Sequence, residues 1–135
     1  MSAALQNTAQ WMDRESGSMF SAPVVKTADY TLTAKDMGKT FTTRGATGAV
    51  TFTLPAASAA LAGAHVEFHN VADQNMVVAG ADEGLVVFND LTADSIGFAT
   101  TSEKIGGGFR AYCDGVSWIV QPLATETQTV TIVSA

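Results

Sequence analysis

The stretch FRAYCDGVSWIVQPL, residues 109–123, holds the lone cysteine, Cys113, directly followed by Asp114. A thiol beside an acid is half of a nucleophilic site, and the missing half is an imidazole close enough to take the thiol proton. The chain has two histidines, His65 and His69, and the sequence places neither beside Cys113. The surrounding pattern supports another reading. Asp-Gly is a favoured two-residue hairpin loop, because both residues tolerate the positive φ that such a turn requires. Phe109, Ala111 and Cys113 then share one face, and Val116, Trp118 and Val120 share a face of the return strand. A loop centred on Asp114-Gly115 sets Cys113 opposite Val116 and buries the thiol against Trp118, where it is inert. No catalytic residue is assigned.

His65, Glu67 and His69 share the outward face of a second alternating run, AHVEFHNV, with Ala64, Val66 and Phe68 inward. Two histidines four residues apart on an extended strand stand ~13 Å from each other. Zinc–nitrogen bonds of ~2.0–2.1 Å cannot span that separation. These residues are read as a solvated or interface-lining face, and no metal site is assigned. IGGGF, residues 105–109, lacks the lysine and hydroxyl of a phosphate loop and runs into a strand. It reads as a bend or bulge. Asp82-Glu83 and Asp90 with Asp94 lack the spacing of a calcium loop and read as solvated turns. No cofactor is implied.

The elements that carry these residues are short and alternating. VTFTLP, residues 50–55, sets Val50, Phe52 and Leu54 one way and Thr51 and Thr53 the other, the period of a half-buried strand. YTLT, MVVA, LVVF, SIGFAT, FRAYC, VSWIV and TVTIV continue the theme, separated mostly by glycine and Asp/Asn clusters. AASAALAG, residues 56–63, predicts one short helical turn closed by glycine. The expected fold is all-β: an antiparallel sandwich or barrel of roughly eight or nine short strands. No internal repeat suggests a propeller or solenoid.

Residues 1–24 differ. Small and polar residues surround Leu5, Trp11, Met12, Met19 and Phe20, and Gly17 and Pro23 preclude a long helix. Either the segment folds over the domain or, the reading adopted, it is an N-terminal arm whose apolar residues dock on another chain. Residues 25–123 form the β domain, and 124–135 a C-terminal strand or tail able to pair with a neighbour.

The net charge is −6, and the 7 basic residues are scattered. Phosphate neutralisation needs a dense basic patch, so direct nucleic-acid binding is not expected. No basic segment precedes an apolar run at the N-terminus, and no stretch approaches ~20 consecutive apolar residues. The expectation is a soluble protein of cytoplasmic synthesis, without a membrane partner. A single cysteine makes no internal disulfide.

Three pieces together resemble a module of tailed-phage virion proteins. They are TADYTLTAKDMGKTFTTRGATGAVTFTLPAASAALAG, HVEFHNV and IGGGFRAYCDGVSWIV, spanning residues 27–121. The shared signatures are Asp36, Gly38, Lys39 and Phe41; Gly45 to Pro55; and Asp114, Gly115, Trp118 and Val120, all of them strand and turn residues. The resemblance implies a building block of a virus particle, most like a capsid decoration (cement) protein. It implies a homotrimer located on the capsid surface, with the major capsid protein as partner. At 135 residues the chain is expected to stand alone rather than serve as a tail fibre. The competing readings are a tail-fibre or baseplate module, or a carbohydrate-binding β-sandwich using exposed aromatics such as Trp11 and Tyr112.

Overall fold

The computed structural model describes residues 21–98, 104–123 and 130–134. Within them the chain forms β1 (Val24–Val25), β2 (Tyr30–Thr31), β3 (Thr40–Thr42), β4 (Val50–Thr53), β5 (His65–His69) and β6 (Met76–Ala79). There follow β7 (Leu85–Val87), β8 (Asp90–Ala93), β9 (Ser95–Phe98), β10 (Gly108–Cys113), β11 (Trp118–Leu123) and β12 (Val130–Val133). Each alternating run named above contains a strand. β1, β3 and β8 are additional, so the described residues hold 12 strands rather than eight or nine. Val24–Val25 and Asp90–Ala93 are too short or too polar to show an apolar period. The alanine-rich segment forms a single 3-10 turn, Ala59–Leu61, and a second, unforeseen one occurs at Ala34–Asp36.

The strands make two sheets, in the orders β1-β3-β5-β10-β11-β7-β8 and β12-β9-β6-β4-β2. The sandwich is mixed, which corrects the expectation of an antiparallel one. β1, β3 and β5 run parallel in one sheet, and β2, β4 and β6 run parallel in the other. The chain crosses to the opposite sheet after each of these strands. A strand reached after one such round trip points the same way as the strand it joins, so the pair is parallel without a crossover helix. β11 also pairs in parallel with β7, whereas β5–β10, β10–β11, β7–β8, β6–β9 and β9–β12 are antiparallel.

The core lies between the sheets. Register aligns Phe41, Phe68 and Phe109 in one row of the seven-stranded sheet. Phe52 and Phe98 meet that row from the other sheet: Phe52 lies 4.8 Å from Phe68 and Phe98 5.0 Å from Phe109 between ring centroids. Such aromatic pairs stabilise beyond their buried area by about 0.5–1.5 kcal/mol each. Trp118 is also buried, and its indole N–H donates to the Pro55 carbonyl at 2.7 Å, tying β11 to the end of β4.

β1 begins at Val24, one residue inside the segment read as the arm. From the C-terminal span, β12 pairs antiparallel with β9 and forms one edge of the five-stranded sheet.

Candidate interaction surfaces

Cys113 lies on the inner face of β10, 1% exposed. Its thiol approaches the Ser58 carbonyl at 3.9 Å and accepts from the Gly115 N–H at 3.4 Å. His65, on the adjacent strand, pairs with Tyr112 and is exposed on the outer face, so no imidazole faces the thiol. The hairpin is present, but its register differs from the expected one. Cys113 pairs with Trp118, not with Val116, and the loop residues are Gly115 and Val116.

Two causes are local. Gly115 supplies the positive φ (96°) at the first loop position. The Asp114 carboxylate meanwhile accepts from the N–H groups of Val116 and Ser117, both at 2.8 Å. Those bonds, Ser117 first, hold the Asp114 carboxyl below its ordinary pKa. Moving the pairing by two residues keeps every side chain on its expected face. Only Val116 changes place: it is 82% exposed in the loop instead of buried.

On the outer face of the seven-stranded sheet, Glu67 is engaged on both sides. Arg110 donates through Nε at 2.8 Å and pairs through Nη2 at 2.7 Å, and His69 Nε2 lies 3.1 Å away. The His69 contact, then Arg110, lowers the Glu67 pKa. His65 stands one row further along this face, beside Tyr112. The trio read from the sequence is therefore an ion-paired surface with an unattached neighbour. Among the described residues no three His, Cys, Asp or Glu side chains are grouped as a metal would need.

IGGGF forms the expected bulge. Asn70 donates its N–H to Gly107 and accepts from the Gly106 N–H, so two residues face one. The Asn70 side chain is buried and bonds the carbonyls of Gln74 and Lys104 and the Thr43 hydroxyl, joining three loops. The acidic turns are held too: Asp94 accepts from the Glu83 N–H and Asp90 from the Thr92 N–H.

Asp36 is a buried carboxylate that the sequence reading placed only within a turn motif. It accepts from the Tyr30 hydroxyl at 2.9 Å, the Thr33 N–H at 3.0 Å and Lys39 at 3.3 Å. No pocket opens among the described residues. The large apolar side chains left in water include Phe88 (60% exposed) and Leu91 (75%), at the β7–β8 hairpin on one edge of the seven-stranded sheet. Phe88 has φ +48°, a left-handed conformation that is costly for an aromatic residue. Alternation hinted at this exposure, since Leu85 and Val87 point inward. The anchor residues Leu5, Trp11, Met12, Met19 and Phe20 lie outside the described residues. Comparison with family models, curated proteins and solved structures finds no match.

Proposed function

We propose that the chain is a structural protein of a phage particle. It decorates and stabilises the capsid by bridging capsomers as a homotrimer, with the major capsid protein as its partner. The observation that carries this reading is the use made of the residues that resemble virion modules. Asp36 ties Tyr30, Thr33 and Lys39 together. Phe41, Val50, Phe52 and Leu54 fill the core, and Trp118 is bonded to Pro55. The residues that carry the resemblance hold a shape. That supports a module whose work is contact.

Contact of this kind needs apolar anchors. The exposed Phe88 and Leu91 offer one such point, and Leu5, Trp11, Met12, Met19 and Phe20 are proposed as others on the arm. Each attachment is small, but three linked subunits bind together because the first contact raises the effective concentration of the next. The acidic balance keeps the particle surface from adhering to nucleic acid.

Co-sedimentation with undecorated capsids tests the proposal. Saturable binding, together with a rise in the temperature at which capsids release DNA, is expected. Protein that stays in the supernatant at every ratio would exclude the capsid role.

A further inference from the structure

Charge is divided between the two ends of the seven-stranded sheet. At the β1–β3 end stand Lys26, Lys35, Lys39 and Arg44, with Val25 51% exposed beside them. Two acids lie near: Asp36 is buried and paired with Lys39, and Asp29 is bonded to the Thr51 N–H on the five-stranded sheet. At the β7–β8 end stand Asp82, Glu83, Asp90 and Asp94, around the exposed Phe88 and Leu91. The Glu83 N–H donates to the Asp94 carboxylate at 2.7 Å, which draws the 82–83 loop against the end of β8. Residues 45–103 contain no lysine or arginine, so this end has no base of its own. Six strand spacings of ~4.8 Å put the two ends about 29 Å apart, well beyond the ~8 Å screening length at physiological ionic strength. Neither end neutralises the other within one chain.

We infer that copies of the chain join end to end, the β7–β8 end of one against the β1–β3 end of the next. The occupant follows from charge complementarity. Each end matches the other and neither matches itself, so like charges oppose a two-fold contact through either one. A contact between two different surfaces is heterologous and closes into a ring where its rotation allows, and three copies make the proposed homotrimer. The apolar side chains match as well, Phe88 and Leu91 meeting Val25 and the lysine stems. Among the described residues no further strand lies beside β1 or β8, so backbone N–H and C=O groups face the contact too. Of the apolar points proposed above, Phe88 and Leu91 then serve the contact between copies, and the arm residues serve the capsid.

This inference rests on the homotrimer of the proposed function and not on the capsid role. Light scattering over a dilution series tests it on the full chain with Arg44→Glu, Asp82→Lys, Leu91→Ser and Gln121→Glu, each checked for unchanged circular dichroism. Arg44, Asp82 and Leu91 are exposed, and Gln121, exposed on β11 away from both ends, is the control. The expected result is a wild-type trimer whose dissociation constant rises at least tenfold in the three end variants and stays unchanged in Gln121→Glu. Asp82→Lys is the discriminating variant. It lowers the net negative charge, so repulsion between whole molecules would make it associate more tightly, and that result overturns the inference. A trimer indifferent to all three end variants also overturns it and leaves the homotrimer on another surface. A wild type that stays monomeric or stops at a dimer removes both the homotrimer and this contact. Trimers that respond as expected yet fail to bind capsids remove the virion role alone.

Discussion

Asp36 shows what a single buried charge does for this fold. Burial works to raise its pKa, and the Thr33 N–H, the Tyr30 hydroxyl and the Lys39 ammonium outweigh it, so the net shift is downward. A carboxyl whose folded pKa lies below its unfolded value adds stability above the ordinary carboxylate range. That stability is lost as pH falls through the folded pKa. Glu67 shifts the same way, but its partners are substantially exposed and its share is small. The melting temperature is therefore expected to fall as pH drops from about 5 towards about 3. Asp36→Asn should flatten that slope while lowering stability at neutral pH, as thermal melts across the range would show. An unchanged slope would place the acid sensitivity on other carboxylates.

At the scale of elements, the β10–β11 hairpin can be tested from both sides of its register. Trp118 is 1% exposed and Val116 82%. Trp118→Ala is expected to cost about 3–5 kcal/mol in a urea titration, through lost transfer energy, a cavity and the broken bond to Pro55. Val116→Ala should change stability by less than about 0.5 kcal/mol. Equal costs at the two positions would return the loop to Asp114-Gly115. The β5–β10 pairing depends on a missing side chain, because a Cβ on Gly108 would collide with the Phe68 carbonyl. Gly108→Ala should destabilise by about 1–3 kcal/mol by forcing the strands apart. A neutral result would mean that the backbone yields there.

At the scale of the whole molecule, the core that joins the two sheets is built from residues between Leu32 and Val120. Deleting residues 1–20 should leave the sandwich folded, with its circular dichroism and melting cooperativity retained, while weakening attachment to capsids. A truncated chain that unfolds would make the segment part of the core and end its description as an arm. The native mass bears on the same question. Three times 14.0 kDa, about 42 kDa, is the mass that the proposed homotrimer predicts for light scattering, and a monomer at every dilution would count against it.

What the sequence determined by itself was local. The period of two in VTFTLP, AHVEFHNV and FRAYC decided that these runs are strands and which side chains turn inward, because alternation follows from the pleat of a single strand. It likewise set Cys113 and Trp118 on the buried face. Strand direction and sheet membership are different in kind. They depend on which distant strand each edge meets, and Phe41, Phe52, Phe68, Phe98 and Phe109 select those partners by packing across the core rather than by any pattern along the chain. The hairpin register belonged to the Asp114 carboxylate and its bonds, and the roles of Asp36 and Asn70 to partners brought from separate loops. The row of Thr31, Thr53, Ala79, Ser95 and Val133 across the five-stranded sheet likewise gathers residues scattered over the chain. Tertiary structure alone decides such a row, since neighbours in a sheet are made by pairing and not by succession.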